Sequence, residues 1–222
     1  MLELLTSETP NGWKVSILLE ELGVPYTVRP ISLARREQKE DWYVALNPNG
    51  RIPTLIDHDA SGFAVFESGA ILIYLAEKYD RFLPAGAQGR SQAIQWVMWQ
   101  VAGLGPMMGQ ATVFNRYFEE RPPAVIDRYV RESRRLLEVM DGWLASREYL
   151  AGTYSIADMA CFPWVNGHDW ACVPVDGLPH LQRWFDAIAA RPAVQRGLHI
   201  PAPPAPQDME EVTVAQGRNI LA

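Results

Sequence analysis

Thr9-Pro10-Asn11-Gly12 is the first stretch of the chain whose residue types could do chemistry. It follows a short apolar run, "LELLT" at 2–6, and precedes Val15, Leu18, Leu19 and Leu22. That i, i+3, i+4, i+7 spacing predicts one face of an amphipathic helix, and Gly23 supplies its stop. A helix N-terminus carries partial positive charge and favours an anion or a thiolate. Thr9 could donate its hydroxyl hydrogen to such a thiolate. Asn11 could cap the helix by accepting from backbone N–H groups two or three residues on. The corner has no cysteine, so two readings stand: a site whose nucleophile comes from elsewhere, or a capped helix start.

Two further stretches carry candidate chemistry. In "GRIPTLID" an Ile-Pro pair stands immediately before a strand. A cis Ile52–Pro53 bond would make a tight turn there. It would also turn the Ile52 N–H and C=O from the sheet, leaving an edge that an extended peptide could pair with. A trans proline at the first strand residue is the other reading. In "FESGAI", Ser68 opens a helix behind Glu67, and Gly69 lets a ligand approach. Helix N–H groups with the Ser68 hydroxyl suit a carboxylate, and Glu67 could accept from an ammonium. One charge of each sign fits an α-amino acid head; a plain Ser N-cap is the alternative.

These groups need elements to hold them. "YTVRPISL" at 26–33 alternates as a strand, with Pro30 suggesting a sheet edge. "TLIDH" and "FAVFE" flank "DASG" as a hairpin, and "SGAILIYLAEKY" at 68–79 is helical again. The order βαβ then ββα predicts a small mixed sheet with helices packed on it. "DRFLPAGAQGR" reads as a linker, and from residue 91 onward the amphipathic signals are helical. The organisation expected is an α/β unit over 1–80, a linker over 81–90, an all-helical unit over 91–200 and a Pro-rich tail over 201–222. Apolar residues make up 48 %, enough to bury a core in each unit, and 21 % charge suits an ordinary soluble surface. The net charge of −6 argues against nucleic-acid binding. With no apolar run of about 18 residues and acids rather than a basic stretch in "MLELLTSETPNG", neither a membrane span nor a signal peptide is expected. Its two cysteines, far apart and not in CxxC spacing, fit a cytoplasmic chain with reduced thiols.

Corner, Ile-Pro and Glu-Ser, in that order inside one unit, form a joint pattern more specific than any member. Here the chain resembles the cytosolic glutathione S-transferase family over nearly its whole length. More narrowly, "TPNGWKVSILLEELGVPY", "NPNGRIPTLID", "FESGAILIYLAEKY", "QWVMWQVAGLGPMMGQ" and "YSIADMACFPWV" are similar to the nu-class and yeast nitrogen-regulator-like branch. The resemblance implies a thioredoxin-like N-terminal domain and an all-α C-terminal domain. It implies glutathione as cosubstrate, with Thr9 and Asn11 steadying its thiolate and with Glu67 and Ser68 on its γ-glutamyl head. Ile52, before Pro53, would pair with the cysteinyl backbone, and Gln38 and Arg51 would lie near the glycyl end. It further implies one or two glutathiones, or oxidised glutathione, per site, and disulfide-bond reduction favoured over conjugation. A homodimer would let Arg128 of one subunit meet the second glutathione of its neighbour. Without the family, Gln38 reads as a solvated glutamine, Arg128 as a helix arginine paired with Glu132 at i+4, and Lys14 as a surface helix residue.

Other functions remain in view. The same residues could serve a conjugating transferase or peroxidase acting on organic electrophiles, or a non-catalytic glutathione-binding regulator or carrier. Intact Thr9 and Asn11 favour chemistry over binding alone. The four histidines, His58, His168, His180 and His199, show no ligand spacing, so no metal is expected. Ser155-Ile-Ala-Asp158 reads as a capping box, which makes Asp158 structural. Cys161 lies on an apolar helix face and reads as inert core.

Overall fold

The computed structural model describes residues 1–202, so from Pro203 on the expected tail lies outside the described residues. The first elements are β1 (Leu2–Thr6), α1 (Pro10–Leu22) and β2 (Tyr26–Pro30). A 3-10 turn at Glu37–Lys39 and the short α2 (Asp41–Val44) lead to β3 (Thr54–Asp57), β4 (Phe63–Phe66) and α3 (Ser68–Tyr79). Then come α4 (Ala87–Trp99), α5 (Gly105–Thr112), α6 (Pro123–Leu144), α7 (Ile156–Asn166) and α8 (Pro179–Ala189). The last described helix is α9 (Pro192–Gly197). The chain divides into two units: Met1–Tyr79 with the residues from Pro192 on, and Asp80–Arg191. The sequence reading carries the helical domain to residue 200 and starts it after a linker. In the structure α4 begins inside that linker segment, and α9 groups with the first unit.

In the first unit the strands form a mixed sheet in the order β2-β1-β3-β4. β1 pairs parallel with β2, antiparallel with β3, and β3 pairs antiparallel with β4. β2 is an edge strand, as Pro30 requires, because proline has no N–H for a second ladder. The helical run on α1 and α3 packs both helices together on one face, with Val15, Leu18, Leu19, Ile71, Leu72 and Leu75 buried. Leu5, Ile31 and Tyr43 make a second buried cluster, joined by Trp42, Ile52 and Ile56. Side chains alternate across a strand. Leu5 therefore faces the Tyr43 cluster, while Asp57 of β3 meets Lys78 and Tyr74 of α3 on the helix side.

The second unit buries Trp96, Met108, Leu137, Met140, Leu144, Phe162 and Trp184. Trp96 packs edge-on to Trp99, with ring centroids 5.0 Å apart, so this aromatic spacing builds core. The helix passes through a π turn at Gln100–Leu104 directly before Pro106 in the first turn of α5. Proline cannot donate to the preceding turn, and the wider π turn absorbs the break in the ladder. Ser155 and Asp158 form the expected capping box. Asp158 also accepts from Leu150 N–H (3.0 Å) and Trp184 Nε1 (2.8 Å), and burial pushes its carboxyl up to about 6.

Candidate active site

The corner after β1 is built by close approach. A side chain at Gly12 would put its Cβ 2.4 Å from both Ser7 O and Thr6 Oγ1, so only glycine lets α1 start this near the strand. The helix begins at Pro10, with Thr9 as N-cap: Gly12 N–H donates to Thr9 Oγ1 at 3.3 Å. This corrects the expectation that Asn11 is the cap. Proline at the first helical position puts the cap at Thr9, two residues before Asn11, because it needs no acceptor for an N–H and its φ suits the helix. Asn11 instead accepts from Lys14 Nζ at 2.9 Å through Oδ1. The Thr9 hydroxyl hydrogen and the Asn11 amide hydrogens remain as donors at a helix N-terminus, where the dipole favours negative charge.

Lys14 differs most from its sequence reading. It is 1 % exposed and no surface residue. It lies one residue before Val15 and four before Leu18, so the face it shares is the one α1 turns toward α3. Its ammonium also donates to Ser68 Oγ at 3.2 Å. One buried cation therefore touches the first turn of α1 and the first residue of α3.

Ser68 is buried and begins α3 without acting as its cap; Ile71 N–H bonds to the Glu67 carbonyl instead. Glu67 is exposed, sits in the left-handed region at φ 69°, and accepts from Asn49 Nδ2 at 3.3 Å. A non-glycine residue held there costs about 1–2 kcal/mol. Such outliers persist where surrounding structure enforces them, often at binding sites.

The Ile52–Pro53 bond is cis. Neither backbone polar group of Ile52 has a hydrogen-bond partner among the described residues. The preceding residue is pinned: the Arg51 carbonyl accepts from Tyr43 Oη (2.9 Å) and Asn47 Nδ2 (2.6 Å). Thr54 Oγ1 joins both of those groups at 3.0 Å. Burial pushes the Tyr43 hydroxyl up to about 12, so it keeps its proton at neutral pH. Sequence reasoning missed this Tyr43–Asn47–Thr54 frame; the "NPNG" turn letters before Arg51 were its only local signal. The Arg51 side chain itself is exposed.

Gln38 is 4 % exposed and not solvated, which corrects its bland reading. Its Oε1 is buried without a hydrogen-bond partner, and a buried acceptor left unpaired costs about 1–3 kcal/mol. Gly50 (φ 59°) lets the loop beside it close to contact; a Cβ there would meet the Gln38 carbonyl at 3.0 Å. Thr9, Asn11, Gln38, Arg51, Ile52, Pro53, Glu67 and Ser68 all lie in the first unit.

Arg128 lies on α6 in the second unit and is exposed. Its expected partner, Glu132, is held by Arg135 through bonds of 2.8 and 2.6 Å. Those bonds, first, keep the Glu132 carboxyl below the usual range. Arg128 makes no hydrogen bond or close ion pair among the described residues, so the simple i+4 pairing is not formed. Cys161 is fully buried in α7, and Cys172 is exposed; neither belongs to the first unit. No group of three or more His, Cys, Asp and Glu among the described residues is placed to hold a metal. No helix among them is long and apolar enough to cross a membrane.

Comparison with known proteins points one way. Family models described as "Glutathione S-transferase, N-terminal domain" and "Glutathione S-transferase, C-terminal domain" match residues 9–78 and 101–192. The chain is 39 % identical over 203 residues to the disulfide-bond oxidoreductase YfcG of Escherichia coli, covering 89 % of this chain and 94 % of that protein. A glutathione transferase structure from Burkholderia graminis, with two glutathione molecules bound per subunit, superposes with TM-score 0.84 at 44 % identity. The match covers 90 % of this chain and 88 % of that one. A transferase from Pseudomonas putida, with one glutathione disulfide bound per subunit, gives 0.83 at 42 %, covering 90 % and 91 %.

Proposed function

The chain belongs to the glutathione S-transferase family, and from that premise we propose that it is a glutathione-dependent disulfide-bond reductase. The observation that carries the reading is the corner: Thr9 and Asn11 accept through their oxygens and keep their hydrogens to donate at a helix N-terminus, in a unit that contains no cysteine. Such a corner steadies a thiolate it does not own. A free thiol has a pKa of about 8.5, and a helix N-terminus with added donors lowers it. Glutathione brings the sulfur.

The remaining residues hold the tripeptide. Ser68 and the first N–H groups of α3 take the γ-glutamyl carboxylate, and Glu67 takes its ammonium. The unpaired Ile52 backbone bonds to the cysteinyl residue. Gln38 Oε1 accepts an N–H from the glycyl end, beside Arg51. In the reaction the thiolate attacks one sulfur of a small disulfide, forming a mixed disulfide and releasing one thiolate, which takes a proton. A second glutathione thiolate then attacks the glutathione sulfur of the mixed disulfide, releasing the second thiol. Two glutathione thiols become one disulfide, and one substrate disulfide becomes two thiols. Arg128, from the other subunit of a homodimer, balances a carboxylate of the second glutathione.

Steady-state turnover of 2-hydroxyethyl disulfide, set against a chloronitrobenzene electrophile and an organic hydroperoxide, tests the reading. Faster disulfide reduction is the expected result. Preference for the electrophile or the hydroperoxide would move the chain to a conjugating transferase or peroxidase. Tight glutathione binding with no turnover would make it a regulator or carrier.

A further inference from the structure

Among the described residues of the first unit Lys14 is the one buried lysine or arginine, and the reaction just described gives it no part. Its ammonium donates to two residues of the candidate site, Asn11 Oδ1 at 2.9 Å and Ser68 Oγ at 3.2 Å. An asparagine amide offers one acceptor oxygen and two N–H donors, and a serine hydroxyl offers lone pairs and one hydrogen. An ammonium can only donate. It therefore engages a lone pair of each group and orients the hydrogens of both away from itself, toward a ligand.

We propose that Lys14 is a positioning residue that orients Asn11 and Ser68 as donors toward the ligand, so that the site favours an anion at each end, a thiolate at one and a carboxylate at the other. The inference rests on the glutathione reading. Its physical content is orientation together with charge. With Oδ1 held, the Asn11 amide cannot flip to accept from a neutral thiol S–H. With Oγ engaged, the Ser68 hydrogen is free to donate to a carboxylate. The ammonium also adds its field to the positive ends of α1 and α3, in surroundings that screen it poorly.

The test is the thiol pKa of bound glutathione, read from ultraviolet thiolate absorbance against pH, in wild type, N11A, K14M and the double variant. K14M should raise that pKa by about one unit, a tenfold loss of thiolate at fixed lower pH. It should add little once Asn11 is alanine, because Lys14 acts through that amide. Binding of S-methylglutathione, which lacks the thiol, should weaken several-fold in K14M and little further when K14M is combined with S68A. An unchanged thiol pKa in K14M beside a raised one in N11A would overturn this inference and leave the glutathione reading standing. Fully additive shifts would overturn it as well. An unchanged pKa in N11A would overturn the thiolate reading itself. Should K14M not fold, the wild-type crystal structure with S-methylglutathione decides. Asn11 Nδ2 toward sulfur with Oδ1 on Lys14 supports the inference, whereas Lys14 bonded directly to the ligand overturns it.

Discussion

The corner assigns different tasks to two polar residues on either side of Pro10. Thr9 caps α1 through its oxygen and keeps a hydrogen; Asn11 is turned by Lys14 and keeps its amide hydrogens. Asn11→Ala should therefore cost catalysis more than fold. Disulfide reduction should fall about 10²-fold, as when one preorganised donor to a developing anion is lost, with Tm nearly unchanged. Cys161→Ala should leave turnover intact, because that thiol is buried in the other unit; loss of activity there, with Asn11→Ala unaffected, would sink the mechanism. Arg128 has no close partner on its own helix, since Arg135 has taken Glu132. Arg128→Ala should weaken oxidised glutathione more than a single reduced molecule, measured by calorimetric titration. Equal weakening of both would remove its role with the second glutathione. At this scale the sequence singled out Thr9, Asn11, Glu67 and Ser68 as candidates but misjudged the burial of Lys14 and Gln38. Lys14 and Gln38 read as solvated because charge and amide chemistry predict exposure, and only packing overrides that.

At the scale of elements, the site depends on joints between strand and helix. Asp57 ends β3, is fully buried, and meets Lys78 and Tyr74 of α3. Burial works to raise its carboxyl pKa, but the Lys78 ammonium and Tyr74 hydroxyl outweigh it, so the net direction is down. A native value below the unfolded one, about 3.9, gives stability that is complete above that pH and is lost as pH falls through the native value. Asp57→Asn should cost roughly 3–5 kcal/mol at pH 7, as for a broken buried pair. The Tm gap to wild type should close below about pH 4. A gap equal at pH 2.5 and pH 7 would show that the ion pair contributes nothing. The hairpin, α3 and the 2–6 strand were legible from alternation and periodicity, because local pattern decides them. The Tyr43–Asn47–Thr54 frame was not, because its three residues are adjacent only after the loop folds over the sheet.

At the scale of the whole molecule, the chain's last described helix returns to its first. Ser16 Oγ donates to the Gly197 carbonyl at 2.7 Å, across a separation of 181 residues, and Arg196 pairs with Glu20 at 2.6 Å. A Cβ at Gly197 would lie 2.7 Å from Ile17 Cα, a backbone atom that cannot swing aside. Gly197→Ala should push α9 off α1 and destabilise the first unit by roughly 1–3 kcal/mol, read from the denaturant midpoint. No shift would mean that α9 is not needed to hold α1. This return is invisible in sequence, since α9 carries a helix pattern of only six residues and nothing local says which unit it joins. By itself the sequence determined the α/β-then-α order and the family, and it marked three candidate stretches, because these rest on local periodicity and motif. Only the tertiary structure decided which groups are donors. Lys14 Nζ takes Asn11 Oδ1 and Ser68 Oγ while the Gly12 N–H takes Thr9 Oγ1, and "TPNG" alone cannot say which side of its amide is engaged.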